Sequence, residues 1–314
     1  MLEIAALVLP LFALVLAGYA AGRIVRLPIE GLAWLNFFIV WVALPPLFFN
    51  LLAVTPVEEF DNLAFLAATT VATFATFALC FVAALLLGRG DVRVATVQGL
   101  AGAYGNIGYL GPPLAIAAFG PAAGVPVALV FCFDNSMHFT LAPLLMSVGE
   151  KERRPLLATL GGIVRRIVTH PFILATAAGV AAAFLGARPP APVQQVLDAL
   201  AGAAAPCALF AMGVTAALRP LKRVPLELAW LLPVKLVVHP GLVWALVAPL
   251  PGIDPLWLHS AMLLAALPTA TNVFVIAQSY GVWEQRASSV VVVSTGLSVL
   301  TVTAFLWLVR EGVF

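Results

Sequence analysis

Ten apolar stretches follow one another along this chain and leave little sequence between them. They run over roughly 4–22, 32–54, 62–88, 94–119, 124–148, 170–186, 194–218, 225–249, 257–280 and 287–309. A helix needs about 20 apolar residues to cross a hydrocarbon core about 30 Å thick. Charged residues make up only 10% of the chain and hydrophobic residues 63%. A soluble domain carries roughly a quarter of its residues as charges. The expected fold class is therefore an all-α membrane protein with ten transmembrane helices. The spans are distributed over the whole length, which excludes a soluble domain on a single anchor. The start, MLEI, lacks the basic region of a cleaved signal peptide.

The two halves match at one constant offset. Pro10, Gly18, Pro28, Pro45, Phe49 and Gly120 correspond to Pro171, Gly179, Pro189, Pro206, Phe210 and Gly281. Each half, 1–153 and 162–314, holds five spans. The basic residues fall in alternate loops: Arg23 and Arg26; Arg89 and Arg93; Lys151, Arg153, Arg154, Arg165 and Arg166; Arg219, Lys222 and Arg223; then Arg286. By the positive-inside bias these loops are cytoplasmic and both termini are non-cytoplasmic. An odd number of spans per half makes the duplication an inverted repeat.

Two spans are interrupted at corresponding places. The fourth contains Gly105, Asn106, Gly108, Gly111, Pro112 and Pro113, and a break is expected within 105–113. The ninth contains Pro268, Thr269, Thr271 and Asn272, with a break expected within 267–274. Proline removes a backbone donor and clashes with the preceding turn. Irregular backbone at membrane depth is tolerated only inside protein or against a watery cavity. The second half of each broken helix then starts with free amides and a partial positive charge, which suit an anion. Asn106, Gly108, Gly111, Pro112, Pro113, Pro268, Thr269, Thr271 and Asn272 form the candidate substrate site, with Asn106 and Asn272 as hydrogen-bonding groups for a carboxylate. A lone proline kink would be ordinary; two in register point to a transporter's binding site.

Few charges lie inside the spans. Asp134 sits near the middle of the fifth, and Lys235 near the middle of the eighth. His138 and His239 follow them at i+4, on the same helix faces. Intramembrane charges usually pair or mark pathways. Asp134 and Lys235 read either as a structural ion pair or as a proton-coupling or counter-charge group, and each histidine reads as a hydrogen-bonded packing residue. Gly18 and Gly22 form a GxxxG pattern expected to make a close helix contact. Cys80, Cys132 and Cys207 have no metal-binding spacing, so no metal site and no cofactor are expected. The net charge of +2 gives no indication of nucleic-acid binding.

GNIGYLGPPLAIAAFG at 105–120, LPTATNVFVIAQSYG at 267–281, KLVVHP at 235–240 and STGLSVLTVTAFLWLV at 294–309 give the chain a family likeness. It resembles the auxin efflux carrier family, which includes plant PIN carriers and bacterial malate and malonate permeases. The long cytoplasmic loop of many plant members is absent, so the chain looks like a compact bacterial member of the inner membrane. The resemblance implies a bile-acid-symporter-like fold in which broken helices 4 and 9 cross. It implies scaffold helices at about 4–54 and 170–218, and transport-domain helices at about 62–148 and 225–309. It further implies elevator-type alternating access and a homodimer.

The function expected is secondary transport of a small organic anion, a mono- or dicarboxylate of auxin or malonate type, with a proton as candidate coupling ion. A sodium-coupled bile-acid-like symporter is the rival within transport, although the crossover lacks an acidic residue. A non-transporting membrane receptor is the rival outside it, although no ligand-binding soluble domain is visible. An enzyme is not expected, because HExxH, GxSxG and paired membrane aspartates are absent.

Overall fold

In lipid, backbone N–H and C=O groups must find partners within the protein, and a helix satisfies them locally. The computed structural model, described for residues 2–25, 27–88, 90–148, 156–218 and 225–314, is helical along nearly all of them. The helices are α1 (Leu2–Val25), α2 (Ile29–Ala53), α3 (Leu63–Leu87), α4 (Val92–Ala103), α5 (Ile107–Phe119), α6 (Gly124–Val148) and α7 (Leu156–Val168). They continue with α8 (Pro171–Leu185), α9 (Ala191–Leu218), α10 (Leu228–Val247), α11 (Pro255–Ala266), α12 (Thr271–Ser279) and α13 (Glu284–Arg310). Among the described residues, six helical segments are long and apolar enough to cross a membrane, and four shorter apolar helices accompany them. The chain is a multi-pass membrane protein. The loop residues Arg26, Arg89, Lys151, Arg153, Arg154, Arg219, Lys222 and Arg223 lie outside the described residues.

Two helices contain π-turns, Phe38–Ala43 in α2 and Val234–Val238 in α10. Prolines flank both, Pro45–Pro46 after the first and Pro233 and Pro240 around the second. A proline cannot donate its bond and displaces the carbonyl four residues back, and one widened turn absorbs the mismatch. The second π-turn carries Lys235.

The chain divides into two units. Unit 1 comprises Met1–Leu63, Ile107–Cys132 and His170–Pro220. In it α1 lies against α9 at backbone distance. A Cβ on Gly18 would stand 2.1 Å from the Phe210 carbonyl oxygen, and one on Gly213 would stand 1.9 Å from that of Val15. The GxxxG pattern therefore makes its close contact within this chain. The same contact recurs between α8 and α2, where a Cβ on Gly179 would stand 3.0 Å from the Phe49 carbonyl oxygen. Gly18 and Phe210 correspond by the sequence offset to Gly179 and Phe49. Phe48, Phe131 and Phe172 pack as a buried ring cluster in the same unit, with centroids 4.9–5.6 Å apart.

These contacts set a direct expectation. Lipid tails are as apolar as a leucine side chain, so close packing carries much of the association between membrane helices. Gly213→Ala must push α1 and α9 apart and lower stability by about 1–3 kcal/mol, the usual range for overpacking. Gly296→Ala, where a Cβ would meet nothing beyond its own helix within 4 Å, serves as the control and should be neutral or mildly stabilising. Unfolding of both variants in detergent checks the contrast.

Unit 2 comprises Ala64–Asn106, Phe133–Thr169 and Leu221–Phe314. Its apolar core gathers Phe77 and Cys80 from α3, Leu100 from α4, Leu231 from α10, Val273 from α12 and Val290 from α13. Gly102 admits the Cys80 side chain, whose sulfur would stand 2.2 Å from a Cβ there. The helices α4 and α11 are built alike. Each starts on an aspartate cap, Asp91 accepting from the amides of Arg93 and Val94, and Asp254 from that of Leu256. Each runs 12 residues and then stops.

Candidate functional site

The helices α4 and α11 stop because Tyr104 and Leu267 turn to extended backbone, with ψ of 97° and 152°. The two breaks clasp each other inside unit 2. The Asn106 amide donates to the Pro268 carbonyl at 2.8 Å, and the Ala270 amide donates to the Tyr104 carbonyl at 2.8 Å. This pairs Gly105 with Thr269 as a single antiparallel bridge. Groups that the interrupted helices leave open are thus satisfied by each other, as buried backbone requires.

The residues expected at the site divide by what they touch. Asn106 is buried and directly precedes α5. Thr271 and Asn272 open α12. Thr269 is fully buried, and its hydroxyl donates to the Ala101 carbonyl at 2.7 Å while its amide donates to the Ser294 hydroxyl. It therefore fastens the break and caps the end of α4. Gly108 lies where a Cβ would meet the Phe131 ring at 3.1 Å, within unit 1. Gly111, Pro112 and Pro113 stand differently from the sequence expectation. They lie inside α5 rather than at the break, which falls at Tyr104–Asn106. The helix continues through both prolines to Phe119.

A second polar group lies beside the clasp. Asn272 donates its side-chain amide to the Tyr104 hydroxyl at 3.0 Å, and that hydroxyl donates to Asn135 Oδ1 at 2.5 Å. The Tyr104 ring stacks on His138 with centroids 4.2 Å apart and planes 6° from parallel. His138 Nδ1 lies 2.6 Å from the Asp134 carbonyl oxygen.

Asp134 and Lys235 do not make the direct ion pair that was one sequence expectation. Two side chains stand between them. Lys235 Nζ lies 3.1 Å from His239 Nδ1, His239 Nε2 lies 3.3 Å from Thr73 Oγ1, and the Thr73 hydroxyl donates to Asp134 Oδ2 at 3.3 Å. Lys235 Nζ also donates to the Ala265 carbonyl in the last turn of α11 at 2.7 Å. All four side chains are buried. Sequence reasoning missed Tyr104, Thr73 and Ser294. Thr73 had a signal, because Thr69, Thr73 and Thr76 recur at helical spacing along α3 and are all buried.

The pattern of the family described as "Membrane transport protein" matches residues 4–306. The chain belongs to this family. Its likeness to the auxin efflux carriers is thereby borne out, and the family is one of transporters rather than enzymes. The transporter is 55% identical over 313 residues to a protein of Rhizobium meliloti (strain 1021) described as "Putative malonate transporter". That alignment covers 99% of this chain and 98% of the relative.

Proposed function

We propose that this membrane transporter is a secondary carrier of a small dicarboxylate of malonate type. The single observation behind this reading is the clasp of the two breaks, with Asn106 just before α5 and Asn272 in the first turn of α12. A malonate-like anion has two carboxylates, and two helix starts with two carboxamides supply donors and partial positive charge for both. Each first half-helix, α4 and α11, is 12 residues long, or about 18 Å at helical rise. Neither crosses a core about 30 Å thick alone, so the breaks fall within it. The substrate group within unit 2 is taken to be Asn106, Pro268, Thr271 and Asn272, with Thr269 holding the clasp.

The wider architecture belongs to the same proposal. Ten spans form two inverted five-helix repeats, and the recurrence of the Gly18–Phe210 contact as Gly179–Phe49 supports it. Scaffold helices at about 4–54 and 170–218 hold a transport domain, built from about 62–148 and 225–309, that moves as an elevator. The protein works as a homodimer in the bacterial inner membrane, with both termini non-cytoplasmic and a proton as coupling ion. The name of the Rhizobium meliloti relative supports malonate as the first substrate to test.

A thermal-shift screen of mono- and dicarboxylates on the purified protein tests the substrate class. A ligand that binds only the folded state stabilises by about 2.7 kcal/mol at 100 times its Kd. Malonate is expected to raise the apparent Tm with saturation, and acetate is expected to do so far more weakly. Equal shifts from chloride or sulfate would reject the carboxylate reading.

A further inference from the structure

We propose that Asp134, Thr73, His239 and Lys235 form a proton wire whose far end rests on the Ala265 carbonyl, so that the position of one proton controls how firmly α11 is held beside its break. The inference rests on the transporter reading but not on which carboxylate is carried.

The hydrogen bonds have one consistent direction when Lys235 is an ammonium and Asp134 a carboxylate. Lys235 Nζ–H donates to His239 Nδ1, His239 Nε2–H donates to Thr73 Oγ1, and Thr73 Oγ1–H donates to Asp134 Oδ2. Imidazole and hydroxyl each accept on one side and donate on the other. A concerted shift reverses every bond. The proton leaving Nζ binds Nδ1, the proton on Nε2 passes to Oγ1, and the original hydroxyl proton passes to Oδ2. His239 ends as its other neutral tautomer and Thr73 is restored. One proton has moved from Lys235 to Asp134, both charges are neutralised, and no other reactant is needed.

Two further observations separate a wire from a static structural pair. A buried pair held for stability gains most from direct contact and full hydrogen bonding. Here the charges are separated by two relays, while Asp134 Oδ1 and His138 Nε2 are buried with no hydrogen-bond partner. Such atoms call for an explanation, and Oδ1 is a free acceptor for an entering proton. The surrounding titratable groups are few. Cys80 on α3, within electrostatic reach of Lys235, Tyr104 at the end of α4, His138 on α6 and His239 on α10 face the network. Among the described residues, the buried acidic, basic and histidine side chains are Asp134, His138, Lys235 and His239.

The output is mechanical. Charged Lys235 opposes the partial negative end of α11 through Ala265. As a neutral amine it holds that carbonyl less strongly. Ala265 stands three residues before Pro268, so the wire's state reaches the clasp along the chain.

His239→Gln is the discriminating variant. A carboxamide accepts from Lys235 and donates to Thr73, but it cannot pass a proton from one side to the other. The expected result is unchanged thermal stability, with pH-gradient-driven malonate uptake reduced at least tenfold. The infrared band of the protonated Asp134 carboxyl, assigned by its loss in Asp134→Asn, should titrate at least one pH unit away from its wild-type midpoint. Thr73→Val should behave likewise, and Thr73→Ser should restore both readouts. An unmoved infrared midpoint in His239→Gln and Thr73→Val would overturn the wire. Shifted midpoints in a protein that carries no malonate would keep the wire and remove the malonate reading.

Discussion

Lys235→Met is expected to cost about 3–5 kcal/mol of stability, the usual range when one partner of a buried charge pair is removed. The ammonium holds His239 and the Ala265 carbonyl directly and balances Asp134 through the relay. The methionine fills similar volume but donates nothing, so Ala265 O loses that bond and Asp134 stays buried without a counter-charge. Asp134→Asn added to Lys235→Met should recover part of the loss, because replacing both partners approaches neutrality. Chemical unfolding of the two single variants and the double variant in one detergent measures the coupling. Single variants within about 0.5 kcal/mol of wild type, the range of ordinary surface changes, would contradict this view of the buried network.

Asn106→Ala and Asn272→Ala are each expected to weaken malonate binding by about 1.5–3 kcal/mol, the worth of a hydrogen bond to a charged group. That corresponds to roughly 10–150-fold in Kd. The two should differ in side effects. Asn272→Ala also removes the donor to the Tyr104 hydroxyl, whereas the backbone clasp through the Asn106 amide survives Asn106→Ala. Calorimetric titration on folded protein reads both, and unchanged affinity in the pair would exclude this site.

The sequence carried the parts of this fold that depend on chain-local physics. Apolar runs must be helical in lipid, so the helical class and the multi-pass character could be read directly, and GxxxG correctly marked a close contact. The first break was less accurately legible. Pro112 and Pro113 drew attention, yet the chain parts at Tyr104–Asn106 and α5 runs on through both prolines. The tertiary polar network was beyond reach for a related reason. Thr73 is far from Asp134 and His239 in sequence, and hydroxyls also bond to their own helix, as Thr69 and Thr76 do. Only the fold decides which threonine turns toward a partner. Asp134 and Lys235 were recognisable as membrane charges, but the two relays between them were not.

Counterflow of labelled malonate into proteoliposomes holding the purified protein tests the central claim most directly. Liposomes preloaded with unlabelled malonate are expected to accumulate label transiently, far above protein-free liposomes, and Asn106→Ala with Asn272→Ala should abolish the overshoot. Label entry no greater than in protein-free liposomes, from wild-type protein that is demonstrably folded, would contradict the assignment of this crossover as a dicarboxylate site.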